Sequence, residues 1–283
     1  MITRIGRLVG ALALAAGLAA LPSAYSSGAP GAGVQALPNV NMEAVVKAAQ
    51  WDPRKPDTGI TPGAGDSVRL VEQALAARGH LASQYVDGHF GTSTISAYAA
   101  YQRSLGYTGL DANGLPGRTS LTTLGTNRFA VINPISPGSR VSFRGYTLNT
   151  RTRSMILEAE RLLGRTLTLT QGSYNPGGVG ASAGTHDGGG AADISVSGMT
   201  TTVRTNVVRQ LRVVGFAAWY RSPAEGDWGP HIHMIALSDT DQSTQARNQA
   251  GDYYLGLNGL ANRGPDTGPT VTPIRTWEEY LRS

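Results

Sequence analysis

Two short runs in the C-terminal half of the chain hold the residue types from which metal and acid–base chemistry is built. The first is His186-Asp-Gly-Gly-Gly-Ala-Ala-Asp193 and the second is Trp228-Gly-Pro-His231-Ile-His233. The chain has no cysteine and five histidines, His80, His89, His186, His231 and His233. Thiol nucleophiles, disulfide frameworks, iron–sulfur clusters and cysteine-based zinc fingers are therefore excluded, and any metal must be held by His, Asp or Glu. Two imidazoles and one carboxylate around an open position form the ligand set of a catalytic rather than a structural zinc ion. Such an ion lowers the pKa of bound water from about 15.7 toward about 7. A fourth polar side chain is then needed to handle the proton or the oxyanion. With His186, Asp193 and one of His231 and His233 as ligands, the other histidine is left for that task. His80 and His89, in or beside expected helix ends, read as structural residues.

Convergence of these side chains needs two neighbouring strands. In Ala191–Val196 the apolar Ala192, Ile194 and Val196 share one face, so Asp193 and Ser195 leave the other with Ala191. In His231–Leu237 the two histidines share a face, while Ile232, Met234 and Ala236 occupy the opposite one. The glycines at 188, 189 and 190 let the chain turn back so that His186 meets Asp193 again. Around these strands the spacing predicts a helix capped by Thr152 and stopped by Gly164, and a strand over Thr166–Thr170. It further predicts a Gly-rich loop over Gly172–Gly190, a helix ending at Gly215 and a strand over Phe216–Tyr220. Residues 245–283 read as mostly irregular, with a terminal helix near Trp277–Leu281. The expectation for 145–283 is an α+β domain with an antiparallel sheet carrying a metal site.

The N-terminal half has a different organisation. Arg4 and Arg7 precede an apolar run over Leu8–Leu21, and Ala24-Tyr25-Ser26 offers a small-x-small cleavage pattern, so residues 1–26 read as a signal peptide. The run is shorter than the roughly 20 residues a membrane span needs, so no membrane span is expected in the mature chain. Residues 27–63 and 127–144, rich in Gly and Pro, read as linkers, the first with one short helix over Met42–Gln50. Between them, residues 64–126 read as a three-helix module. Asp87-Gly88-His89-Phe90-Gly91 opens its second helix and Asn113-Gly114-Leu115-Pro116-Gly117 its third, an internal repeat of turn and helix start. The chain is thus expected to be multidomain. Its formal net charge of +5 falls to +3 once the two Arg of residues 1–26 are removed. That balance gives no warrant for a nucleic-acid partner. With 40% hydrophobic and 15% charged residues over 283 positions, it is neither a disordered polyelectrolyte nor a membrane bundle.

Two resemblances follow from these motifs. Asp87-Gly-x-Phe-Gly-x-x-Thr94, Tyr101-Gln102-x-x-x-Gly106-Tyr107 and Asn113-Gly-x-x-Gly117-x-Thr119 resemble the type-1 peptidoglycan-binding domain, with Asn113 where Asp is usual. The resemblance implies a bacterial peptidoglycan partner and an extracellular, cell-wall-associated protein. His186-x-x-Gly189-x-Ala191-x-Asp193, followed by His231-x-His233, resembles the zinc D-alanyl-D-alanine carboxypeptidases and murein endopeptidases. That resemblance implies one zinc ion on His186, Asp193 and His233, with His231 as the non-ligand catalytic histidine. There are departures. Gly184 stands where the group has Ser, with Ser182 close by, and Trp228 stands where an acid or His is frequent. Glu225 and Asp227, both in an expected loop, are the candidates to replace that acid. The Ser-Gly-Tyr-Arg segment that would grip a terminal carboxylate is replaced by Thr170-Gln171-Gly172-Ser173-Tyr174. Gln171, Tyr174, Ser182 and Trp228 are left as candidates for substrate contact. The implied activity is a zinc metallopeptidase hydrolysing stem or cross-bridge peptides, as carboxypeptidase or endopeptidase. The alternative is a non-catalytic cell-wall-binding protein with a zinc-stabilised recognition domain.

Overall fold

The computed structural model describes residues 36–283, so the signal segment expected over 1–26 lies outside the described residues. The chemistry-bearing runs sit in a four-stranded antiparallel sheet of order β5-β6-β8-β7. It is made of β5 (Leu169–Gln171), β6 (Ala191–Ser195), β7 (Phe216–Arg221) and β8 (His231–Ala236). Period-two alternation divides its faces. Ala192, Ile194, Ala218, Ile232, Met234 and Ala236 pack on α5 (Thr150–Leu163) and α6 (Thr201–Val213) through Met155, Ile156, Val207 and Leu211. The opposite face, with Ala217, Trp219 and Ile235, packs on Ala246, Ala250 and Tyr253 of α7 (Thr244–Tyr254). Asp193, His231 and His233 belong to this second face, as the strand parity requires.

Several boundaries differ from expectation: β5 covers Leu169–Gln171 rather than Thr166–Thr170, and the ends of β6, β7 and β8 shift by one residue. Helix α5 begins at Thr150, because the buried Asn149 side chain accepts from Thr152 N at 2.8 Å and takes the capping role expected of Thr152. Residues 245–283 are mostly irregular as expected, with one helix that the spacing did not announce. Helix α7 occupies their first stretch, its start capped by Ser243, while α8 (Trp277–Leu281) forms where expected. The segment Thr-Gln-Ala-Arg-Asn-Gln-Ala carries only two small apolar residues, Ala246 and Ala250, which pack on the sheet together with Tyr253 and Tyr254 further along the helix.

The N-terminal half builds its own core from α1 (Met42–Trp51), α2 (Gly65–Ala77), α3 (Thr92–Ser104) and α4 (Arg118–Leu124). It is joined by a parallel pair of β1 (Asn39–Asn41) and β2 (Ala130–Ile132). The linker reading is corrected for the described part of 27–63, which starts at residue 36, and for 127–144. Val40, Met42, Val45 and Val46 from the first and Phe129 and Ile135 from the second are buried in that core. Residues 140–149 form a hairpin of β3 (Arg140–Phe143) and β4 (Tyr146–Asn149) across Arg144-Gly145, both at positive φ. Met42, Val45, Val46 and Ala49 follow the helical period, but the Gly- and Pro-rich flanks obscured their weight. Residues 37–283 form one compact unit. No helix of the described residues is long and apolar enough to cross a membrane.

The repeated turns have a common physical basis. Glu72 Oε2 accepts from the backbone N of Asp87 and Gly88, and Gln102 Oε1 accepts from Gly114 N. Each Asx-Gly turn is therefore latched by a buried side chain of the preceding helix. Asn113 adds a second duty that explains why it is not Asp. Its Nδ2 donates to the carbonyls of Thr240 at 2.9 Å and Gln242 at 3.0 Å, while Oδ1 accepts from Leu115 N. Asn113→Asp would turn a carboxylate oxygen onto both carbonyls. It is expected to lower unfolding stability by about 3 kcal/mol, seen as a drop in the urea midpoint with an unchanged denaturant slope.

Candidate metal centre

Residues Asp193 and His233 are direct cross-strand partners in the β6–β8 ladder, and His231 pairs with Ser195 two positions along. His233 Nδ1 lies 2.8 Å from Asp193 Oδ1, His186 Nε2 lies 3.4 Å from the same oxygen, and His231 Nε2 lies 3.8 Å from Asp193 Oδ2. One ligand atom each from His186, Asp193 and His233 falls within 4.8 Å of the other two, and all three residues are buried. Ligands about 2.0–2.1 Å from a tetrahedral ion stand about 3.3 Å apart, so this cluster can close on one ion with small side-chain adjustments.

Each of the two buried rings has an outer carbonyl partner. His186 Nδ1 donates to the Gly172 carbonyl at 2.8 Å, and His233 Nε2 donates to Gln249 Oε1 at 2.8 Å. With the proton on the outer nitrogen, each neutral imidazole turns a lone pair toward the Asp193 carboxylate, the state a metal ion requires. Burial pushes Asp193 up, but where the His186 and His233 rings carry a proton toward it, their hydrogen bonds and charge prevail and hold it well below the usual carboxylate range. Burial pushes His233 down, outweighing the attraction of Asp193. An ionised carboxylate facing two neutral imidazole lone pairs repels them, and a divalent cation among the three atoms makes every contact attractive. The group can hold a metal ion, with outer partners of the kind that orient metal ligands.

The loop that delivers His186 is pinned along its length. Asn175 N donates to His186 O, Tyr174 N to Gly188 O and Gly189 N to Asp241 O, at 2.9, 2.9 and 2.7 Å. Gly190 sits at φ +82°, where a side chain would be strained. Above the triad opens a cavity of about 650 Å³. Gln171, Ser182 and Trp228 line it together with His186, Asp193, His231 and His233, and so does Glu225. Gln171 and Ser182 hydrogen-bond one another at 3.0 Å, and Trp228 Nε1 donates to Ser222 O. Tyr174 is not among the cavity walls. Its hydroxyl donates to Asp241 Oδ2 at 2.7 Å and accepts from Asn149, bracing the glycine turn instead. Asp227 does not line the cavity either.

Two neighbours, Gln249 and Arg221, escaped the sequence reading, whereas Trp219 was expected as core or pocket wall. Gln249 comes from α7, whose polar sequence hid the helix. Trp219 lies parallel to His233 at 6.3 Å between ring centroids. Arg221 ends β7, opposite His231 in register. A strand drawn only to Tyr220 stops one residue short of it, although the parity of Ala217 and Trp219 puts it on the metal-site face. No family model matches the chain, and no curated protein matches it.

Proposed function

We propose that the protein is an exported zinc metallopeptidase that hydrolyses peptide bonds in bacterial peptidoglycan. The observation that carries this reading is the convergence of His186, Asp193 and His233 at the floor of an open cavity, with both imidazoles oriented by carbonyl oxygens. Two imidazoles and one carboxylate favour zinc over the hard cations, which prefer all-oxygen shells. Zinc held there supplies a Lewis acid for a peptide carbonyl and acidifies water at neutral pH. His231 is the proton carrier. Its Nδ1 donates to Gly229 O at 2.7 Å, which leaves Nε2 as the basic atom, partly exposed and 3.8 Å from Asp193 Oδ2. Trp228 packs edge-on against the His231 ring and limits its rotation. Residues 64–126 act in this reading as the wall-docking part, supported by the paired Asx-Gly turns and the motifs around them. This part meets α7 directly, with Arg247 Nη1 donating to Asn113 O at 3.2 Å. The docking part therefore presents the pocket to the polymer without a long tether.

Digestion of purified peptidoglycan followed by muropeptide mass spectrometry tests the proposal, with metal content measured on the same sample. One zinc per chain and newly released amino groups are expected. His231→Ala is expected to keep the metal and lose about 10²- to 10⁴-fold in rate. Protein that binds walls and holds zinc but releases nothing would instead support a wall-binding protein with a metal-stabilised recognition domain. Protein purified without chelators that carries no metal would refute both.

A further inference from the structure

The cavity wall holds a cation that the metal chemistry does not use. Arg221 is only 3% exposed, and no carboxylate of the described residues lies within 4.0 Å of its guanidinium. The group is held in place on two sides. Its Nη1 donates to Asn258 O at 2.8 Å, and its Cζ lies 4.9 Å from the Trp219 ring centroid. Nη2 is buried without any hydrogen-bond partner, and Nε makes no hydrogen bond to the described residues. These two N–H groups lie on one edge of the guanidinium, the edge that meets a carboxylate with two parallel hydrogen bonds.

A buried, unpaired charge is costly unless something neutralises it. Burial pushes Arg221 down to about 10, a fall that the more distant Glu225, Asp193 and Asp266 offset only in part. The missing counter-ion has an obvious route of entry, because Arg221 lines the same cavity as the metal triad and is the register partner of His231. Two residues of strand, about 7 Å, separate the Arg221–His231 level from the Trp219–His233 level.

We propose that Arg221 is the anion anchor of the pocket, receiving through Nε and Nη2 a free carboxylate of the bound peptide within about two residues of the bond at the metal. The identity of the ligand as a peptide rests on the peptidase reading; the carboxylate preference itself does not. The assignment supplies from β7 the grip that Thr170-Gln171-Gly172-Ser173-Tyr174 cannot provide.

Calorimetric titration of the full chain with N-acetyl-D-alanyl-D-alanine and with its C-terminal amide tests it, in zinc-loaded and in chelator-treated protein. Wild type is expected to bind the acid about 10- to 100-fold more tightly than the amide, with and without zinc. Arg221→Met is expected to bind the two alike while keeping its zinc. Arg221→Lys, which retains charge without the paired geometry, is expected to keep less than about a third of the preference, and it decides the matter should the Met variant fail to fold. Equal affinities in wild type, no binding of the acid, a preference seen only with zinc, or full preference in either variant would overturn the assignment. An acid preference that depends on Arg221, in protein that releases nothing from peptidoglycan, would sink the peptidase reading and leave the anchor standing. Release of muropeptides with equal affinities would do the reverse.

Discussion

Asp193→Asn is expected to abolish the response of the protein to zinc. The carboxylate is the one anionic donor among the three, and its Oδ1 is the atom that both His186 Nε2 and His233 Nδ1 approach. An amide there keeps the shape but removes the charge that offsets the ion. Replacement of outer partners of metal ligands already costs 10- to 100-fold in affinity, so loss of a direct ligand should exceed about 100-fold. The thermal shift makes the point without any activity assay. At zinc concentrations about 100 times its dissociation constant, the wild-type chain gains about 2.7 kcal/mol, or about 5–10 °C for a unit of this size. Asp193→Asn should show almost none of that gain. His80→Ala removes a histidine that packs beside Tyr101 in the helical core, far along the chain from the triad, and should keep the full shift. An Asn variant whose melting point rises with zinc as the parent's does would place the metal elsewhere.

The triad was legible because three independent constraints on β6 and β8 agree. Apolar residues at alternate positions, 192, 194 and 196 in one strand and 232, 234 and 236 in the other, fix which face is core. Asp193 and His233 are thereby assigned to the opposite face, and the antiparallel ladder pairs them directly. His186 needed only a loop able to return, which three glycines announce. The surrounding shell was harder to read for a physical reason. Gln249 reaches His233 from a helix with little apolar period, whose burial depends on a sheet face contributed by distant sequence. Arg221 carries no local mark of its role, since its significance lies in the absence of a partner, and partners are a property of the folded chain. The same holds for α1. Its four apolar positions look slight between Gly- and Pro-rich flanks, and only packing against α2 and β2 shows that they are core. Tyr174 erred in the other direction: proximity in sequence to the expected carboxylate grip suggested a substrate contact, whereas the Gly172–Gly190 loop carries its hydroxyl to Asp241.

Gly188→Ala should unfold the site from behind. A Cβ at this position would stand 2.3 Å from Asp241 O and 2.5 Å from Ser243 N, both backbone atoms, so no side-chain rotation relieves the clash. The opposing turn has little freedom to retreat. Gln242 Nε2 donates to Ala236 O at the end of β8, and Gln242 Oε1 accepts from Gln50 of α1. Ser243 caps α7, the helix that brings Gln249 to His233, and the Thr240 and Gln242 carbonyls receive Asn113. A shift of about 1 Å in this turn would loosen the metal centre and the junction with the helical core together. Overpacking against fixed backbone costs about 1–3 kcal/mol and sometimes more; with two backbone contacts below 2.6 Å, the upper end of that range is expected here. Gly180→Ala is the matched control, because nothing lies within 4 Å of its Cβ position and its φ is not positive, so its effect should stay within about 0.5 kcal/mol. Urea unfolding of the two variants, with zinc affinity measured on each, separates the outcomes. If Gly188→Ala unfolds at the same urea concentration as Gly180→Ala and binds zinc as tightly, the glycine turn does not clamp the metal loop onto its neighbour, and the account of how His186 is held fails with it.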